Sequence, residues 1–294
     1  MNEDRKSKVA PFLVAAAAIL WGVLVVFVRK LNAAGFSAMD IVCIRAYGSS
    51  LFLAIGLGLL RRPLLRAKVN DCWCFVGTGV FSIVFFSYCY FRNVEISSVA
   101  VSSILMYTSP IWVTLLSALL FREKITKNKI IALIMALAGC VLVSGITEGV
   151  GNVSTQGILL GLGSGIGYGL YTIFGQFALN KGYHPMTVAF YTFLFACVGV
   201  LPFVSVSSIL KRLLSDPELW WYAICIAFFT TCLSFSLYTM GLRYLEPGRA
   251  AVLATLEPIV ATLVGVILYQ EILTPVMMSG IVLVLLASVL ISRK

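Results

Sequence analysis

The sequence predicts an all-α polytopic membrane protein: ten transmembrane helices arranged as two inverted five-helix repeats. Three observations carry this prediction. Hydrophobic residues make up 60% of the 294-residue chain and charged residues 12%, with mean hydropathy +1.00. A soluble domain carries about 25% charged residues. Apolar stretches near the roughly 20 residues that span hydrocarbon fill almost the whole length. The second half also repeats the first. Shifted by 148 residues, Tyr90 falls on Tyr238, Leu105 on Leu253, Pro110 on Pro258, Thr114 on Thr262, Glu123 on Glu271, Thr126 on Thr274 and Ser144 on Ser292. Near the start of each half the shift is 147, matching Gly22 to Gly169, Phe27 to Phe174 and Met39 to Met186. Five is an odd number of spans, so the second half must sit upside down relative to the first. Inverted repeats of this kind place a transporter's substrate site at the repeat interface near the bilayer midplane.

The expected spans are 10–30, 37–60, 73–92, 97–121, 128–146, 157–178, 185–207, 219–242, 248–269 and 275–292. They divide into a first repeat, 1–147, and a second, 148–294. Connections are short, so no soluble domain is expected. The polar segment Met1–Lys8 is brief and the first span too long for a signal-peptide core, so no cleaved signal is expected. The net charge of +10 raises nucleic acid as a partner, but the distribution of the charges excludes it. With the N-terminus in the cytoplasm, 16 Lys and Arg fall on the cytoplasmic side and 5 (Arg29, Lys30, Arg92, Lys211 and Arg212) on the outer side. The positive-inside rule then puts both termini in the cytoplasm of a multi-pass cell-membrane protein. The bias is strong in the first half and weak in the second, as expected when one repeat inserts inverted.

Eight cysteines are present without metal-ligand spacing, and the chain has one histidine, His184. They read as small buried apolar residues; no metal or other cofactor is expected. A Cys72–Cys74 disulfide is not expected at a cytoplasmic face.

The sixth span carries Gly157, Gly161, Gly165 and Gly169 at four-residue spacing. Small residues so placed let helix backbones approach closely; they also offer cavity volume or a bend. In the fourth and ninth spans the repeat-mated prolines Pro110 and Pro258 sit near mid-span. A mid-helix proline donates no hydrogen bond and displaces the carbonyl four residues back, here those of Met106 and Ala254. In hydrocarbon such breaks persist where they face protein or a wet cavity. A matched pair of interrupted helices points to a transporter's binding site; a plain structural kink is the alternative.

Two formal charges lie deep in spans, Arg45 in the second and Glu257 in the ninth, and their repeat mates Thr192 and Ser109 are uncharged. Each charge costs roughly 2.5–3.5 kcal/mol at the bilayer centre on insertion scales, so an intramembrane ionisable residue is a functional candidate. Glu257 is the only deep acidic group and the candidate for proton coupling; the alternative is a fixed polar anchor. Arg45 lies about ten residues into its span, where it can reach a headgroup or backbone carbonyls, and reads as structural. Mid-span tyrosines need partners for their hydroxyls and so favour a protein-lined cavity. The candidate substrate-binding residues are Trp21, Tyr88, Tyr107, Ser109, Tyr168, Tyr171, Tyr238 and Glu257. Tyr90, Trp112 and Phe235 belong to the same aromatic series, whereas Trp73, Trp220 and Trp221 sit at span ends as interface anchors.

These residues resemble the drug/metabolite transporter superfamily, in particular its EamA-type members. The resemblance covers essentially the full length. It rests on Trp21-Gly22, on Arg45, on Pro110 followed by Phe121-Arg122-Glu123, and on Leu256-Glu257-Pro258 followed by Tyr269-Gln270-Glu271. It implies a ten-helix fold with a central cavity lined mainly by helices 1, 3, 4, 6, 8 and 9. Helix 2 would be more peripheral, which weakens Arg45 as a substrate ligand. Members move amino acids, other metabolites and drugs.

The expected function is a secondary transporter of a small organic metabolite, an amino acid or related compound or a drug-like molecule, working by alternating access as an exporter. No Walker-type phosphate loop is present, so the energy would come from a proton or substrate gradient. An enzyme is not expected: there is no His-Glu-x-x-His motif, and His184 sits at a helix boundary. A non-transporting receptor or complex subunit is the alternative. The expected partners are the metabolite, the lipid bilayer and protons, with a homodimer among the allowed assemblies and no nucleic acid.

Overall fold

The computed structural model describes residues 3–144 and 154–292. The expected repeat boundary at 147/148 lies outside the described residues. Among the described residues ten long helices follow one another: α1 Glu3–Ala33, α2 Ala38–Leu60, α3 Val69–Ile96, α4 Val99–Phe121, α5 Lys127–Val143, α6 Thr155–Asn180, α7 Pro185–Phe203, α8 Pro217–Leu242, α9 Pro247–Tyr269 and α10 Pro275–Ser292. Nine of them, among the described residues, are long and apolar enough to cross a membrane. The tenth, α5, has 17 described residues, about 26 Å at 1.5 Å per residue, the short end of the spanning range.

Local chemistry repeats with the sequence. Gly35 and Gly182, 147 positions apart, end α1 and α6 with φ of +84° and +88°. Each is followed by the same long-loop bond, Phe36 N to Leu31 O at 3.1 Å and Tyr183 N to Ala178 O at 3.2 Å. A residue with a Cβ is strained at that φ, which is why glycine closes both helices. Arg122 and Gln270, 148 apart, both turn the chain at φ +56°. The next amide in each case, Glu123 or Glu271, donates back to Ser117 O or Gly265 O over 3.3 Å. Thr126 and Thr274 then cap α5 and α10, their hydroxyls accepting from Lys129 N and Met277 N. Wider π-helical turns interrupt α3 at Gly77–Val84 and α8 at Phe228–Leu233, at overlapping repeat positions.

The packing follows the same symmetry. α1 packs on α8 and α9, while its mate α6 packs on α3 and α4; α5 pairs with α10, and α2 with α7. The α5–α10 contact is close because a Cβ at Gly139 would lie 2.8 Å from Gly280 O, and one at Gly280 would lie 2.7 Å from Gly139 O. The α6 glycines serve packing in the same way: a Cβ at Gly165 would meet Thr108 Oγ1 at 2.6 Å and Leu105 O at 2.7 Å. All eight cysteines are free, and all but Cys72 are buried.

One element departs from the sequence expectation. The seventh span ends at Phe203, and a separate helix, Val206–Ser215, runs before α8. Its Ile209 and Leu213 are buried, Val206, Leu210 and Leu214 are exposed, and Lys211 and Arg212 share its polar side. That amphipathic pattern suits a helix lying along an interface. Arg212 donates to Gly35 O and stacks on Phe36, 5.2 Å from the ring centroid, which anchors the helix beside the α1–α2 turn.

Candidate functional site: the cavity at the two helix breaks

The two helices that carry the repeat-mated prolines are interrupted at mated positions. α4 runs as Val99–Met106 and then Ser109–Phe121, and α9 as Pro247–Ala254 and then Leu256–Tyr269. A threonine hydroxyl bonds back within each break, Thr108 Oγ1 to Leu105 O and Thr255 Oγ1 to Val252 O, both at 2.6 Å. Each of these carbonyls also accepts the threonine's own amide, Thr108 N to Leu105 O at 3.3 Å and Thr255 N to Val252 O at 3.2 Å, so hydroxyl and amide together close a tight turn at the break.

A cavity of about 320 Å³ lies between these breaks, lined from α1, α2, α3, α4, α6, α8 and α9. That volume falls in the range of small-molecule sites. Trp21, Tyr107, Ser109, Tyr168, Tyr171, Tyr238 and Glu257 all line it. Tyr88 does not; it is 41% exposed and packs on Phe203 at 5.3 Å. Two residues subtend about 200° on a helix, so Tyr88 and Tyr90 face opposite sides of α3, and Tyr90 is the one at the cavity. Pro110 and Pro258 are buried behind the breaks. Arg45 is the clearest departure from expectation: helix 2 does reach the site, and Arg45 lines it. Its Nε donates to Thr231 Oγ1 at 3.0 Å, in the π-helical turn of α8. Ser82, Phe86, Ser103 and Thr172 also line the cavity; as ordinary span residues they carried no signal in the sequence.

The polar atoms are arranged in pairs. Tyr168 OH donates to Glu257 Oε2 at 2.7 Å. The hydroxyls of Tyr171 and Thr239 meet at 2.6 Å, those of Tyr238 and Thr172 at 2.7 Å, and those of Tyr90 and Ser103 at 3.2 Å. Trp21 stacks edge-on against Phe235 with centroids 5.0 Å apart and lies 5.2 Å from Tyr238. Its indole Nε1 is buried and makes no hydrogen bond among the described residues. A buried donor left without a partner costs about 1–3 kcal/mol, so this N–H is available to an acceptor on a bound solute. The site therefore offers aromatic walls, one carboxyl group, one guanidinium and one unpaired donor.

The cavity is not centred between the two faces. Call the face that holds the start of α1 and the end of α10 the terminal face, and its opposite the far face. Toward the far face the lining reaches Val28, Phe91 and Val99, and Val99 is 61% exposed. Toward the terminal face the lining stops at Val113, Thr172 and Ala251. Beneath that floor Val113, Ile173 and Ala251 pack with Leu116, Phe121 and Phe177. Among the described residues no group of three or more His, Cys, Asp or Glu is placed to hold a metal ion.

The comparisons with known proteins agree with this architecture. The model of the EamA-like transporter family matches the chain twice, over residues 8–145 and 155–293. An uncharacterized transporter of Archaeoglobus fulgidus is 31% identical over 230 residues, covering 78% of this chain and 80% of that protein. A second from the same organism is 28% identical over 282 residues, covering 96% and 95%. The threonine/homoserine exporter RhtA of Escherichia coli is 24% identical over 207 residues, covering 69% of this chain and 65% of RhtA. A solved crystal structure superposes with TM-score 0.75 over 96% of this chain and 95% of its own, at 17% identity, which shows a shared fold. With both halves matched and the two mated breaks enclosing one cavity, the chain belongs to the EamA-like transporter family.

Proposed function

We propose that this protein is a secondary transporter that exports a small organic metabolite, an amino acid or related compound, across the cell membrane by alternating access. The observation that carries the reading is the cavity at the two mated helix breaks, with Glu257 at one break and aromatic rings around it. A solute seated there touches both repeats, so a rocking of one half against the other changes which face it sees. The name of RhtA, an amino-acid exporter, supports the substrate class. The positive-inside count supports cytoplasmic termini, which makes the terminal face the cytoplasmic one. Glu257 is the group assigned to proton coupling, with Tyr168 as its hydrogen-bond partner.

The test has two stages. A panel of amino acids and related metabolites is screened for thermal stabilisation of the purified protein. Those that stabilise it are then assayed for counterflow in proteoliposomes. Saturable counterflow of a stabilising solute is the expected result. Ligand-induced stabilisation without any flux would replace the transporter reading by a receptor or a complex subunit.

A further inference from the structure

We propose that Lys129 is the latch of the terminal face, and that its absence from the mated position makes closure of this transporter one-sided. The proposal rests on the alternating-access reading above.

The geometry begins with three chain segments on the terminal face. Glu123 follows the left-handed turn at the end of α4, Lys129 stands in the first turn of α5, and Glu246 is the residue just before the first turn of α9. Lys129 is only 7% exposed. Its Nζ donates to Glu123 Oε1, Glu246 Oε2 and Lys124 O, each at 2.8 Å. An ammonium has three donors, so this head group is fully satisfied. Glu123 Oε2 in turn accepts from Gly248 N at 3.3 Å, at the positive end of the first α9 segment. Glu246 and Gly248 belong to the second repeat, whereas Glu123 and Lys129 belong to the first. The cluster therefore ties the two halves together under the packed floor of the cavity.

The far face carries the mate of one member only. Glu271 is the counterpart of Glu123, but Met277 stands at the position of Lys129, Ser98 at that of Glu246 and Ala100 at that of Gly248. Glu271 pairs with Arg29 of α1 at 2.5 Å, with both side chains nearly half exposed. The start of α4, where an equivalent tie would form, is where Val99 is exposed at the cavity rim. Applying the repeat symmetry, a state open to the terminal face would bring Glu271 to the start of α4, as Glu123 now meets the start of α9. With methionine and serine in the mated positions, that closure gains no ammonium bridge. Closure of the terminal face is thus held by a buried Lys129–Glu123 pair that the half-exposed Glu246 joins, and closure of the far face is not. Exposed pairs such as Arg29–Glu271 are weak, while loss of one member of a buried pair leaves a charge uncompensated.

The test gives the latch residues the chemistry of their mates. Lys129→Met and, separately, the milder Glu246→Ser are compared with the unaltered protein by amide hydrogen exchange in detergent. Glu246 is half exposed, so its substitution is tolerated if the first variant does not fold. The expected result is exchange about tenfold faster at 248–253 and 116–121. Exchange at 99–104 slows, and α5 and α10 stay unchanged. Unchanged exchange at 248–253 in the variants that fold overturns the latch. A uniform rise that includes α5 and α10 also overturns it, since that is the signature of a purely structural bridge. Counterflow of the unaltered protein is measured in parallel. Its failure removes the transport reading, while the exchange pattern judges the latch independently.

Discussion

Tyr168 of α6 donates a hydrogen bond from its hydroxyl to Oε2 of Glu257, 2.7 Å away, at the break of α9. The bond joins the one deep carboxyl group to the aromatic wall of the cavity.

Glu257→Gln keeps the shape and the capacity to accept from Tyr168 but cannot exchange a proton. The variant is expected to fold and to keep solute counterflow, while accumulation driven by a pH gradient falls to background. Transport assays in proteoliposomes, with and without an imposed gradient, check this. Gradient-driven accumulation that survives the substitution reduces Glu257 to a polar anchor.

Tyr88 and Tyr90 are chemically alike and differ only in the side of α3 they occupy. Tyr90→Phe removes the hydroxyl that meets Ser103, at a net cost of about 0.5–1.5 kcal/mol. It is expected to weaken apparent solute affinity severalfold. Tyr88→Phe, on the exposed side, is expected to leave affinity within error. Concentration dependence of counterflow for the two variants decides it, and equal effects would contradict the placement of the cavity.

Gly165→Ala places a Cβ 2.7 Å from the backbone oxygen of Leu105 and 2.6 Å from Thr108 Oγ1. A backbone atom beside a helix break cannot yield cheaply, so overpacking of about 1–3 kcal/mol is expected. Gly56→Ala, where nothing lies within 4 Å of the new Cβ, is expected to be neutral or to stabilise by up to about 1 kcal/mol through helix propensity. Thermal unfolding in detergent separates them.

Reporter fusions address the orientation that the charge count implies. Reporters after Lys68 and Lys127 are expected to read cytoplasmic, and one after Gly151, outside the described residues, is expected to read external. A cytoplasmic reading at Gly151 would contradict five spans per half.

Much of the architecture was determined by the sequence alone, because its causes are local or periodic. Apolar run length sets the spans, and the 148-residue shift already pairs Pro110 with Pro258 and Glu123 with Glu271. Composition and spacing likewise singled out Glu257, since one carboxyl group in an apolar run is conspicuous without coordinates. Only the tertiary structure decided which sides of the helices meet. A helix presents all its faces equally in sequence, so the choice of Tyr90 over Tyr88 waits on where α3 packs. Arg45 reached the cavity because a long side chain on α2 extends to the π-helical turn of α8. Most of the amphipathic helix Val206–Ser215 falls in the connection after the seventh expected span, because a short stretch that mixes Ile209 and Leu213 with Lys211 and Arg212 forms no apolar run. Lys129 looked like one more cytoplasmic charge of the positive-inside count. Its burial against Glu123 and Glu246 depends on α9 starting beside the end of α4. That adjacency spans more than a hundred residues of chain and is created only when the two halves pack.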